Sequence, residues 1–268
     1  MTALEKLKAR LDKNFHICVG LDTDINKIPK HLLTEKEPVL EFNRIIIEST
    51  AEYAASYKIN FAFYERFGAR GFDSLAQTLA LIPSNVLVIA DAKRGDIGNT
   101  SEMYAKAVFE ELGFDSITLH PYMGYDSLQP FLSYADKINF ILALTSNKGA
   151  SDFEKQKLQS GKFVFQEVIE KVNEWNTNKN CGIVFGATKI DELKENISSF
   201  GNLVVLLPGV GAQGGSLEEV ASSFNQAKNG NYLVNVSRAL LYCDESPGFS
   251  KSVTTLIKNY NQTVFDLS

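Results

Sequence analysis

The sequence predicts a parallel α/β fold, a single (β/α)8 TIM barrel, on three observations. Eight short apolar runs rich in β-branched residues recur along the chain. Stretches with helical spacing and surface charge separate them, the alternation that builds a parallel sheet. The 268 residues match the ~250 residues of an ordinary barrel of this kind.

Residues 1–14 place Leu4, Leu7 and Leu11 at amphipathic-helix spacing, with charge between them and no signal-peptide core. The first strand is expected at 17–21, followed by a helix over 39–53. The second is expected at 57–63 with a helix at 72–81, and the third at 86–90 with a helix at 100–112. The fourth, 116–119, is followed only by the short, Pro-bearing connection 120–137. Strands at 138–144, 181–185, 203–207 and 232–236 complete the series, with helices at 163–175, 217–227 and 250–260. Most runs lack polar alternation, as strands buried on both faces do. A doubly wound open sheet is the alternative. It usually opens with GxGxxG after its first strand, and Val19-Gly20-Leu21-Asp22-Thr23-Asp24 contains no such turn. No linker interrupts the rhythm, so one barrel domain over 1–268 with a short N-terminal helix is expected.

Composition narrows the function. Hydrophobic residues make up 44% and charged residues 22%, enough apolar side chain to exclude a disordered chain. The net charge of −5 comes with no dense basic tract, so a nucleic acid partner has no electrostatic footprint. Apolar runs such as 203–207 fall far short of the ~20 residues that cross a bilayer, so no membrane partner is expected. Cys18, Cys181 and Cys243 are odd in number and widely spaced beside apolar runs. They read as reduced, buried thiols of a cytoplasmic protein. His16 and His31 lack metal-ligand spacing, and no His/Cys/carboxylate cluster indicates zinc.

Chemistry in such a barrel sits at the C-terminal strand ends. Those ends supply Asp22 and Asp24, Lys58, Asp91 to Thr100, His120, Thr145-Ser146-Asn147, Gly186-Ala187-Thr188, the turn Gly209 to Gly215, and Asn235, Ser237 and Arg238. Asp91 and Lys93 are two apart. If the strand continues, their side chains share a face, and a carboxylate and an ammonium meet in the mouth. A structural ion pair is the bland alternative. The Gly-rich turn and Arg238 follow the seventh and eighth strands, where such barrels often hold phosphate. The turn leads into a helix near Leu217 whose N-terminus would favour an anion. His120 before Pro121 reads first as a satisfied loop histidine. Phe61, Phe63, Tyr64 and Phe67 read as core and rim packing.

The segment Asp91-Ala92-Lys93-Arg94-Gly95-Asp96-Ile97-Gly98-Asn99-Thr100 carries a DxKxxD motif. Together with Lys58-Ile59-Asn60-Phe61-Ala62-Phe63-Tyr64-Glu65 and Pro208-Gly209-Val210-Gly211-Ala212-Gln213, it closely resembles the orotidine 5′-phosphate decarboxylase family, and more narrowly its longer bacterial branch. The resemblance runs from Val19 to Ala239. It implies conversion of orotidine 5′-monophosphate to UMP and CO2 without metal or organic cofactor. It places a charged catalytic tetrad on Lys58, Asp91, Lys93 and Asp96, with Lys93 the proton donor. It implies a homodimer in which Asp96 and Thr100 reach the neighbouring site. Asp22 falls where the ribose hydroxyls are held, Ser146 where the pyrimidine is met, and Gln213 and Arg238 on the phosphate. Ser237 stands where some relatives carry glycine and could add a phosphate contact. His120 receives no role. Related barrels acting on sugar phosphates share DxKxxD. A metal-assisted keto-acid sugar decarboxylase, an aldolase-like synthase and a non-catalytic nucleotide-binding paralogue are therefore the rival readings.

Overall fold

Eight parallel strands close on themselves in chain order: β1 (Ile17–Gly20), β2 (Ser56–Asn60), β3 (Leu87–Arg94), β4 (Ser116–Leu119), β5 (Ile138–Leu144), β6 (Cys181–Phe185), β7 (Val204–Pro208) and β8 (Tyr232–Val236). The computed structural model describes residues 1–211 and 214–267. Closure is direct, since Ile17, Cys18 and Val19 of β1 pair with Val234, Asn235 and Val236 of β8. That pairing removes the open-sheet alternative.

Buried on both faces, the strands still sort their side chains with period two. Cys18, Leu87, Ile89, Phe140, Val184, Leu206 and Leu233 point inward and pack with Ala3 and Leu7. Their neighbours Val19, Tyr57, Val88, Ile117, Ile183, Val205 and Val234 point outward to the helices. Room inside is tight. A Cβ on Gly182 would lie 2.9 Å from the Phe140 ring and 2.6 Å from the Val204 carbonyl, so glycine makes way for that ring.

The helix Ala3–Leu11 lies against this inner cluster, with its N-terminus fixed by a Thr2–Glu5 capping box. Its buried face is Ala3, Leu7 and Arg10, whereas Leu4 is 44% exposed. The expected Leu4–Leu7–Leu11 stripe is thus rotated. Polar ties set the rotation: Lys6 pairs with Asp115 at 2.7 Å, and Arg10 donates to the Ala51 and Glu52 carbonyls.

Strand ends depart from the sequence reading in two places that matter. β2 stops at Asn60 because its Oδ1 accepts the Ala62 N–H at 3.1 Å, turning the chain into the short helix Ala62–Glu65. β3 runs on to Arg94 through a bulge. After β4 the chain makes only the helix Tyr125–Leu132, which tolerates Pro130 in its interior. Cys18 and Cys181 are buried, and burial pushes both thiols up to about 12. Cys243 is exposed. The chain there has left the helix Arg238–Leu241 for a surface connection, which corrects the expectation of three buried thiols.

His16 is 4% exposed, and its Nδ1 lies 3.0 Å from the Tyr232 carbonyl. Burial lowers its pKa from 6.5 to about 4 against the opposing pull of that carbonyl. The unfolded chain therefore binds more protons between those two values, so stability falls as pH falls from 6.5 toward 4. The loss attributable to this group reaches about 3 kcal/mol. Thermal melts of His16→Gln between pH 4 and 7 should show a shallower acid decline than the unsubstituted protein. Parallel declines would remove His16 as the cause.

Candidate active site

Toward the C-terminal end of the barrel the inward positions change from apolar to polar. On β2 they are Ser56 and Lys58, on β3 Asp91 follows Ile89 and Leu87, on β4 they are Ser116 and Thr118, and on β8 Asn235 follows Leu233. A cavity of about 420 Å³ opens over them, lined among others by Asp22, Lys58, Asn60, Asp91, Asn235 and Arg238.

At its floor Lys58 is 4% exposed, and its Nζ lies 3.1 Å from both Asp22 Oδ1 and Asp91 Oδ2. Burial would lower the Lys58 pKa, but Asp22 and Asp91 outweigh it and hold the ammonium above its ordinary range. Burial would likewise raise the Asp91 carboxyl, but Lys58 and Lys93 hold it well below the usual carboxylate range. Lys58 and Asp91 are therefore both ionised throughout the neutral range. Lys93 Nζ meets Asp91 Oδ1 at 2.5 Å, and its side chain is 51% exposed. One ammonium is buried between two carboxylates; the other is half exposed and pairs with the second oxygen of Asp91.

The bulge makes this possible. Between Ala90↔Ile117 and Arg94↔Leu119, three residues of β3 face Thr118 alone. Lys93 sits at φ 47, a left-handed conformation that costs roughly 1–3 kcal/mol for a non-glycine and persists only where its surroundings hold it. Its N–H donates to Thr118 Oγ1 at 3.0 Å. The expectation that Asp91 and Lys93 meet in the mouth holds, although regular strand geometry does not carry it.

Asp96 stands apart from the other three within one chain. Its Oδ1 accepts the Ile97 N–H at 2.8 Å, and among the described residues it forms no ion pair. Gly95 and Gly98, both at positive φ, turn the backbone away after Arg94, and His120 Nε2 lies 3.0 Å from the Gly95 carbonyl. That contact gives His120 the satisfied loop role. Thr100 is exposed on the helix Gly98–Lys106, near Ile97, which is 60% exposed. Asp22 joins the charge cluster in addition to facing the cavity. Ser237 donates to Asp22 Oδ2 at 2.9 Å, so its hydroxyl supports that carboxylate. Gly20 makes the approach possible, since a Cβ there would lie 2.0 Å from Ser237 Oγ. Ser146 is half-buried at the end of β5, its backbone 3.0 Å from where a Cβ on Gly186 would stand. The neighbouring Thr145 is tied through N–H and hydroxyl to Glu154 at 2.7 and 2.8 Å.

Three features bear on the phosphate expectation. The N–H groups of Gly211, Gly214 and Gly215 are spent on carbonyls within the turn, at 2.8–3.1 Å. The helix Leu217–Gln226 is capped by Ser216 and carries Glu218 and Glu219 in its first turn, which opposes an anion there. Those three N–H groups and that helix start are therefore not free for an anion. Arg238 remains: exposed, lining the cavity, and without an ion pair among the described residues. Gln213 lies outside the described residues. Sequence reasoning left Thr118 and Asn235 without roles. Inward phase from Ser116 and from Leu233 was the available signal. No group of three or more His, Cys, Asp or Glu among the described residues is placed to hold a metal ion.

Residues 16–247 match the family model described as "Orotidine 5'-phosphate decarboxylase / HUMPS family". The chain belongs to that family. Among curated relatives of the decarboxylase family, orotidine 5′-phosphate decarboxylase of Christiangramia forsetii is 49% identical over 255 residues, covering 94% of this chain and 93% of the relative. That of Porphyromonas gingivalis is 47% identical over 253 residues, covering 93% and 91%. Among solved structures, OMP decarboxylase of Leishmania donovani superposes with a TM-score of 0.84 at 36% identity, covering 99% of this chain and all of that one.

Proposed function

We propose that this chain decarboxylates orotidine 5′-monophosphate to UMP and CO2 without metal or organic cofactor. The observation that carries the reading is the half-exposed Lys93 ammonium, 2.5 Å from one oxygen of Asp91 while the buried Lys58 holds the other. Membership of the decarboxylase family supports the same substrate. The bond from C6 to the carboxylate carbon breaks, CO2 leaves, and the electron pair stays on C6, where no adjacent electron sink exists. Lys93 stabilises that charge and passes a proton to C6, then regains one from water. Asp91 lies beside the departing carboxylate, so its repulsion is relieved as CO2 forms, while its attraction holds Lys93 in place. Lys58 and, from a neighbouring subunit of a homodimer, Asp96 keep the alternating charges in register. In this reading Asp22 holds the ribose hydroxyls, Ser146 meets the pyrimidine, Thr100 reaches across the dimer, and Gln213 and Arg238 grip the phosphate. Ser237 acts through Asp22. The setting is cytoplasmic pyrimidine synthesis; among the described residues no helix is long and apolar enough to cross a membrane.

One ion pair is not enough. Two unit charges ~4 Å apart at an effective dielectric of ~20 interact by about 4 kcal/mol, whereas the largest enzymatic accelerations, ~10¹⁷-fold, require ~23 kcal/mol. The remainder falls to preorganisation and to binding energy at the distant phosphate. Arg238→Ala should therefore raise KM and lower kcat together. An unchanged kcat/KM in steady-state assays would take Arg238 off the phosphate. The direct test of the function follows orotidine 5′-monophosphate absorbance with protein dialysed against EDTA. Full turnover is expected. Turnover that returns only with Mg²⁺ would favour the metal-assisted sugar-phosphate rivals.

A further inference from the structure

Thr118 is 2% exposed and points into the barrel from β4, opposite the three bulged residues of β3. Its hydroxyl accepts the Lys93 backbone N–H at 3.0 Å and lies 3.0 Å from Asp91 Oδ1. A hydroxyl has one proton. With an N–H already directed at its oxygen, that proton is free for the carboxylate. Asp91 Oδ1 also takes the Lys93 ammonium, at 2.5 Å. A closed ring results: Lys93 N–H to Thr118, Thr118 O–H to Asp91, and Lys93 ammonium to the same Asp91 oxygen. Both ends of Lys93 are thereby tied to Asp91 Oδ1, the ammonium directly and the backbone through Thr118.

We propose that Thr118 is a positioning residue for the proposed decarboxylation, holding the Asp91–Lys93 pair in its reactive geometry through this ring. The inference rests on the functional reading above. No other hydroxyl among the described residues bridges this pair. Lys93 is unusual in needing such a hold. Its backbone is left-handed and its side chain is half exposed, so neither helix, ladder nor packing fixes its ammonium. Thr118 supplies a buried anchor beside a half-exposed head. Because it is 2% exposed and its hydroxyl is engaged by Lys93 and Asp91, its loss should change how well the pair is oriented more than how well a nucleotide binds.

Two variants and two readouts test this. Thr118→Val keeps the shape and loses both hydrogen bonds; Thr118→Ser keeps both. The valine variant should lower kcat by about 10- to 100-fold, the range for hydrogen bonds to charged groups, with KM within about twofold. It should also speed hydrogen exchange of the Lys93 backbone amide by at least about tenfold. The serine variant should restore both to within about threefold. A valine variant with kcat within about threefold of the unsubstituted protein would overturn the proposal, as would a serine variant as impaired as valine. If the unsubstituted protein is inert toward orotidine 5′-monophosphate, the functional reading fails instead. The exchange arm then decides alone, and an unchanged Lys93 amide in the valine variant overturns the ring.

Discussion

Lys93→Ala should abolish decarboxylation and leave the barrel folded. The two halves of that result have separate causes. Lys93 is half exposed, and an ion pair of that kind contributes about 0–1 kcal/mol to stability. Asp91 keeps its second partner, Lys58, at 3.1 Å, so no buried carboxylate is abandoned. Alanine at φ 47 is no more strained than lysine. The melting temperature should accordingly move by only a few degrees. Activity loses two things at once: about 4 kcal/mol of charge stabilisation, or roughly 10³-fold, and a proton donor worth roughly 10²–10⁴-fold. A fall of at least about 10⁵-fold in kcat is expected. Lys93→Arg separates the two, since guanidinium keeps the charge but does not give up its proton. It should recover part of the first loss and none of the second. Turnover by Lys93→Ala within about 100-fold of the unsubstituted protein would reject Lys93 as the proton donor.

Much of this site could be read before any coordinates. The eight apolar runs fall on the eight strands, four of them to the residue (116–119, 138–144, 181–185 and 232–236), because strands buried on both faces leave a dense apolar signal. Asp91 and Lys93 were legible as a pair from their spacing, although a bulge rather than a regular strand brings them together. What stayed hidden depends on partners distant in sequence. Asp22 and Lys58 come together through the register Gly20↔Lys58 between β1 and β2, which no local pattern encodes. The left-handed backbone of Lys93 comes from a bulge against β4, and propensity assigns no such conformation to lysine. The glycines of 209–215 suggested free N–H groups, yet those of Gly211, Gly214 and Gly215 bond carbonyls of the same turn. Composition shows that a backbone is able to approach a ligand, not where its hydrogen bonds go. Cys243 was misjudged for a related reason: it lies two residues beyond Leu241, the last buried residue of its short helix, where the chain has already reached the surface.

Lys58→Met should be the most destabilising single change at the site. Lys58 is the sole cation within bonding distance of Asp22 among the described residues, and both are largely removed from water. Removing one member of a buried pair costs roughly 3–5 kcal/mol, because the remaining charge has lost its partner. For a chain of this size that lowers the melting temperature by about 10 °C. The pH dependence identifies the cause. With Lys58 gone, the Asp22–Asp91 pair binds a proton more readily folded than unfolded. The folded variant then gains protons as pH falls, and its deficit relative to the unsubstituted protein should narrow between pH 8 and pH 5. Adding Asp22→Asn should return much of the lost stability by removing the stranded charge. It should return no turnover, because in the proposed mechanism the alternating charges of Asp22, Lys58, Asp91 and Lys93 hold the reactive ammonium in place. Equal melting temperatures for Lys58→Met and the unsubstituted protein at pH 8 would show that water reaches this floor and screens it. The electrostatic preorganisation assigned to the mouth would then have to come from elsewhere.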